Sequence, residues 1–141
     1  FLDHSPVSES CRGVLTTLQA LGLDPRPRDL PALRRWFADQ PPGAHVDRVL
    51  QAANVASICM TNSPFDDEER AFWEARPERD PRFHAALRID PLLVAWHDVV
   101  PRLQGWGYAV SPELNASTAS EVRRFLADWT HRLGSGYCMV S

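Results

Sequence analysis

Net charge, cysteine and long apolar runs are all scarce in this sequence, and each shortage removes a class of function. The formal charge is only -3 with both signs interspersed, so no broad basic field exists to neutralise a phosphate backbone, and nucleic acid is not expected as a partner. The apolar stretch around Val55 to Met60 falls far short of the roughly 20 residues that span a bilayer, so no membrane partner is expected either. Phe1 to Cys11 carries acidic and polar residues where a secretory leader needs a basic start and an apolar stretch. The three cysteines are widely spaced. Cys59 and Cys138 sit in apolar β-like runs, which reads as buried thiols in a reducing compartment, with the cytoplasm as the expected location. Asn115-Ala116-Ser117 matches a glycosylation sequon, which would be inert there.

Chemical motifs are also missing. There is no Gly-x-Gly-x-x-Gly, no phosphate loop and no Gly-x-Ser-x-Gly elbow, so dinucleotide, nucleotide and serine-hydrolase readings lose their usual support. His4, His45, His84, His97 and His131 form no His-x-His and no His-Glu-x-x-His, and no cysteines pair at ligand spacing, so no metal site is expected on this chain. His45, His97 and His131 fall on predicted helices and read as surface residues.

What remains is an ordinary globular balance: 141 residues, 44% hydrophobic and 23% charged, enough to bury roughly two-thirds of the unfolded surface. The first part reads as helical. Ser8 or Ser10 can cap a helix carrying Val14, Leu15, Leu18 and Leu21, which Gly22 ends. Asp29-Leu30-Pro31 opens a second helix with Leu33, Trp36 and Phe37 on one face. Pro41-Pro42-Gly43 breaks it, and a third follows with Val46, Val49, Leu50 and Ala53 on its inner stripe. From Val55 the pattern changes. Val55 to Thr61 is short, β-branched and apolar, as expected of a strand covered on both faces in a parallel sheet. Asp66 to Glu69 places acids on the first turn of a helix. Phe83 to Ile89 predicts a second strand, and Asp90-Pro91 starts a helix through Leu93, Trp96 and Val100 that Pro101 should kink or split. Ser117 or Thr118 with Glu121 reads as a capping box for a last helix carrying Val122, Phe125, Leu126 and Trp129. Tyr137 to Ser141 reads as a third strand. It stops without a turn, and Phe1 is not Met, so the sequence is expected to continue beyond Ser141.

Strands alternating with helices build a parallel sheet with right-handed crossovers. The fold class expected is therefore α/β: a helical region over residues 1–53, then three parallel strands over residues 54–141. Three strands cannot close a barrel alone. In parallel sheets and barrels, chemistry gathers at the carboxyl ends of the strands, which nominates Thr61, Asn62 and Ser63, then Arg88 and Asp90, then Ser141. Arg88 follows Ala85-Ala86-Leu87, so its guanidinium must meet a planar anion or solvent. A substrate carboxylate fits, and so does an ion pair with Asp90 or Asp66. Asp90 before Pro91 reads as a helix cap ahead of a catalytic acid. Thr61 and Asn62 can bond sugar hydroxyls, while Asn62-Ser63-Pro64 also makes a plain turn.

Three segments in order carry a family likeness. Pro6 to Leu18, then Met60-Thr61-Asn62-Ser63-Pro64-Phe65-Asp66, then Ala86-Leu87-Arg88-Ile89-Asp90-Pro91-Leu92-Leu93, resemble the middle of the uronate (glucuronate) isomerases of the amidohydrolase superfamily. In that family a Thr-(Thr or Asn)-Asp-like segment ends one barrel strand and an Arg-x-Asp segment ends the next. Ser63 departs from the pattern, standing where many relatives have an acid. The resemblance implies a (β/α)8 barrel with residues 1–53 as a helical insertion. It implies a divalent metal, usually zinc, in the full-length enzyme, and interconversion of an aldose acid with its ketose acid through an enediol. It carries substrate contact over to Arg88, with Thr61 and Asn62 as the polar end of a strand. The family's metal ligands do not carry over, because its His-x-His lies upstream and a later histidine and aspartate lie downstream. Partners so implied are a uronate, the remainder of the barrel and further copies of the chain in a homo-oligomer. Another superfamily enzyme, a hydrolase or decarboxylase, is the alternative, and a non-catalytic helical interaction domain is the rival from a different class.

Overall fold

A computed structural model of the chain describes residues 4–76 and 78–140, so the expectation placed on Ser141 lies outside the described residues. The chain divides into two compact units, Phe1–Ala56 and Ser57–Ser141. Among its described residues the first contains α1 (Glu9–Ala20), α2 (Leu30–Ala38) and α3 (Pro42–Ala52). Their starts follow local chemistry. Ser8 accepts from the Cys11 N–H and Asp29 from the Ala32 N–H, each satisfying a donor that the first helical turn leaves unpaired. Pro42 occupies the first turn of α3, where a missing N–H costs nothing. Cys11 and Leu18 of α1 and Leu50 of α3 are buried. The apolar face of α2 contributes no buried residue. Its Trp36 and Phe37 instead meet edge to face at 4.9 Å, with the His45 ring 5.7 Å from Phe37 and half-buried.

The second unit alternates strand and helix: β1 (Ile58–Asn62), α4 (Asp67–Glu74), β2 (Phe83–Arg88), α5 (Asp90–Val94), α6 (Trp96–Gly105), α7 (Ala116–Leu133) and β3 (Cys138–Met139). All pairings are parallel and β2 is central. Ile58 sits beside Phe83, Thr61 beside Ala86, Asn62 beside Leu87 and Arg88 beside Met139. Because side chains alternate along a strand, this register sorts the sheet into two faces. Met60, Asn62, Ala85 and Leu87 point to the helices. Cys59, Thr61, His84, Ala86, Arg88 and Met139 point the other way.

The helix-side face holds the core. Ala85 and Leu87 pack with Val99, Val100 and Leu103 of α6 and with Phe125, Trp129 and Leu133 of α7, while Val122 and Leu126 border the cluster. Trp73 closes the α4 side of the same cluster, as a tryptophan packing against strands should.

Several local expectations change. β1 begins at Ile58 and is largely exposed, so the run from Val55 is not covered on both faces. Cys59 and Cys138 are exposed and only Cys11 is buried. The reason is topological: β1 and β3 are the two edges of a three-stranded sheet, and only β2 has neighbours on either side. The helix after β2 divides at Ala95, whose φ of -135° and ψ of 39° leave the helical region, and Pro101 sits inside α6. Asn115 caps α7 by accepting from the Thr118 N–H, because a side chain one position ahead of the first turn reaches that donor and Ser117 and Thr118 already lie within the helix. Glu121 instead pairs with Arg124 and accepts from the Ala109 N–H, contacts that lower its pKa.

Candidate functional site

The carboxyl ends of β1 and β2 lie next to each other, and the local sequence fixes both. After β1 the chain turns at Ser63-Pro64 into α4, where Asp66 caps the helix by accepting from the Glu68 and Glu69 N–H groups. Three residues into the helix, Glu69 reaches back. Its Oε2 accepts from the Ser63 N–H at 2.8 Å and from Asn62 Nδ2 at 3.3 Å. Asn62 is thus committed to the helix-covered face, with its Oδ1 buried and unpaired among the described residues. Thr61 sits on the opposite, open face and is exposed.

Arg88 ends β2 on that same open face, one pleat beyond the level of Thr61. Its Nε donates to Asp90 Oδ2 at 2.9 Å, the ion pair considered from the sequence. Exposure divides the pair unequally: the arginine side chain is 47% exposed and the aspartate 12%. A buried carboxylate therefore anchors a guanidinium that projects to the open side. Asp90 is not the cap of α5. That position is Ile89, which makes no side-chain cap bond, and Asp90 occupies the first helical residue instead. Carboxylates are favourable there because the helix dipole presents its positive end.

The structure therefore brings Thr61 and Arg88 together and turns Asn62 away from them. Glu69, which holds the end of β1, reads in the sequence only as a first-turn acid, whereas Asp90, which holds the end of β2, reads there as a helix cap, a catalytic acid or the ion-pair partner of Arg88. The Asp66-x-x-Glu69 spacing is the signal that would have found Glu69, since an acid three residues after a cap turns back toward the helix start. Cys59 and His84 lie deeper on the open face, and the Tyr137 hydroxyl meets Cys59 Sγ at 2.5 Å. The contact raises the Tyr137 pKa. A separate cavity of about 550 Å3 opens at the C-terminal end of α7, lined by Arg76, Arg79, Asp128, His131 and Arg132. Arg79 there donates to the Leu133 and Arg132 carbonyls and is spent on closing that helix. The cavity has no part in the strand-end site.

No family model and no curated protein matches this chain. A solved structure does: a crystal structure of a uronate isomerase from Bacillus halodurans C-125 covers 99% of the chain at 52% sequence identity, with a TM-score of 0.93. The chain matches a segment of a uronate isomerase. It spans about a third of that protein's length, 33%. At this identity the likeness extends beyond fold class to the residues themselves, and it falls on the family that the ordered segments around Thr61 and Arg88 resemble. The parallel strands with Thr61 and Arg88 on one open face also disfavour a purely helical interaction domain. Among the described residues no helix is long and apolar enough to cross a membrane.

Proposed function

We propose that this chain is part of a cytoplasmic (β/α)8-barrel enzyme of the amidohydrolase superfamily that interconverts aldose and ketose sugar acids, of the glucuronate-to-fructuronate type. Its share of the work is substrate binding. The observation that carries the reading is the 52% identity to a uronate isomerase across 99% of the chain. The geometry of the strand ends supplies the chemistry. A guanidinium binds a carboxylate through paired N–H donors in one plane, and Arg88 presents its head from an anchored base toward the open face. Thr61 on the adjacent strand offers a hydroxyl that both donates and accepts, as a sugar hydroxyl requires. Asn62 serves by fastening the end of β1 through Glu69.

The exposed face of the sheet and its two edges fit the proposed remainder of the barrel, whose other strands would cover Cys59, Thr61 and His84 and pair with β1 and β3. Residues of the first unit form the proposed helical insertion. The implied divalent metal, zinc in this reading, finds no set of ligands here: among the described residues no three His, Cys, Asp or Glu side chains are placed to hold an ion. Its ligands belong to the remaining two-thirds of the protein in this proposal, and no step is assigned to it on this chain.

Incubating the full-length protein with glucuronate and following the sugar by NMR tests the reading. Ketose should accumulate to an equilibrium ratio, and the 141-residue chain alone should yield none. Release of carbon dioxide or hydrolysis of an amide or ester in place of ketose would assign the protein to another reaction of the same superfamily.

A further inference from the structure

Asp90 occupies an unusual place for an acid. It is 8% exposed, it does not cap α5, and its Oδ2 accepts from the Nε of an arginine that is itself nearly half exposed. Holding a carboxylate out of water costs free energy unless hydrogen bonds and a cation compensate. Here the arginine supplies both, and the helix start adds a favourable dipole. The same bond constrains the arginine. Unrestrained, a guanidinium on a flexible stem gives up rotamer freedom when a ligand fixes it, and a partner on Nε removes part of that loss beforehand. A guanidinium bound along its Nε edge still carries a second, outward edge made by its two terminal nitrogens.

We propose that Asp90 is a positioning residue: it orients Arg88 so that the outward edge of the guanidinium meets the carboxylate of a sugar acid. This rests on the reading of Arg88 as the carboxylate-binding residue. Electrostatics alone argues the other way, because a negative charge next to Arg88 weakens its long-range pull on an anion. The two effects predict opposite signs for one substitution. If orientation dominates, Asp90→Asn in the full-length enzyme raises KM for glucuronate about ten-fold and changes kcat little, in line with the loss of one charge-assisted hydrogen bond. If charge dominates, KM falls, and the proposal is overturned.

Three further arms separate the outcomes. Asp90→Glu keeps the charge but displaces the carboxylate by one methylene, so KM should rise while the thermal midpoint holds. This arm also serves if Asp90→Asn does not fold. On an Arg88→Gln background, Asp90→Asn should add nothing to KM, since there is no guanidinium left to orient. An equal KM increase on both backgrounds would mark Asp90 as merely structural and end the proposal. Arg88→Gln alone distinguishes the two levels: if it raises KM while Asp90→Asn and Asp90→Glu do not, the reading of Arg88 stands and the role of Asp90 falls. If Arg88→Gln leaves KM unchanged, both fall.

Discussion

The Tyr137 hydroxyl and the Cys59 thiol meet at 2.5 Å, joining the segment that enters β3 to β1 across the open face of the sheet. The central strand runs between β1 and β3, and its Ala86 is fully buried despite belonging to that face. The contact with Cys59 raises the Tyr137 pKa above its ordinary value near 10. Replacing Cys59 by Ala removes that partner, so the phenol should return toward 10 in a titration of absorbance at 295 nm. An unchanged titration would mean that the thiol does not hold the phenol in solution.

The chain has two tyrosines, and the second, Tyr108, has its pKa pushed up to about 12 by burial and by the hydrogen bond from its hydroxyl to Asp128. A neutral phenol favoured in the folded state contributes stability that is fully present below pH 10. That contribution is lost as pH rises through about 12. Urea midpoints measured between pH 9 and 12 should fall for the native chain and fall less steeply for Tyr108→Phe.

Leu87, next to the carboxyl end of β2, is fully buried against α6 and α7. Leu87→Ala should cost roughly 2–5 kcal/mol, and Phe125→Ala roughly 3–5 kcal/mol, because each leaves a cavity that close-packed neighbours fill only in part. Denaturant unfolding followed by tryptophan fluorescence measures both. A loss below about 1 kcal/mol for either would contradict the packing described.

The two ends of α7 fail for different reasons. Asn115→Ala removes a cap and should cost about 1 kcal/mol. Gly134 at the other end has a φ of 59°, and a Cβ there would stand 2.6 Å from Arg79 Nη1. Gly134→Ala adds backbone strain to that collision and should cost more than the cap, unless Arg79 gives up its bonds to the Leu133 and Arg132 carbonyls. Thermal midpoints of the two variants, compared directly, check the order.

The legible parts of the sequence were those decided locally. Ser8 and Asp29 cap helices because a short polar side chain at such a site has one nearby set of donors to satisfy, whereas Asp66 reads as a first-turn acid and stands one position earlier, as the cap of α4. The stripe of Val122, Phe125, Leu126 and Trp129 faces the core because the helix period leaves no other choice. Arg88 at the end of a strand was also readable, since no apolar neighbour can satisfy it. Burial of β1 was not, because an apolar run reports what a strand is suited to meet and says nothing of whether that neighbour is on the same chain. The face to which Asn62 points depended on where β1 begins, and a one-residue shift of a strand exchanges its faces. Asn115 is hard to read as the cap because Ser117, Thr118 and Glu121 offer a capping-box pattern two residues later.

In the proposed function, the open face at the ends of β1 and β2 receives a sugar acid. A crystal structure of the full-length protein with a bound uronate tests this most directly. The sugar carboxylate is expected within about 3 Å of the Arg88 guanidinium and a sugar hydroxyl within hydrogen-bond reach of Thr61. A uronate held by other residues, with Arg88 turned away from it, would rule out this site.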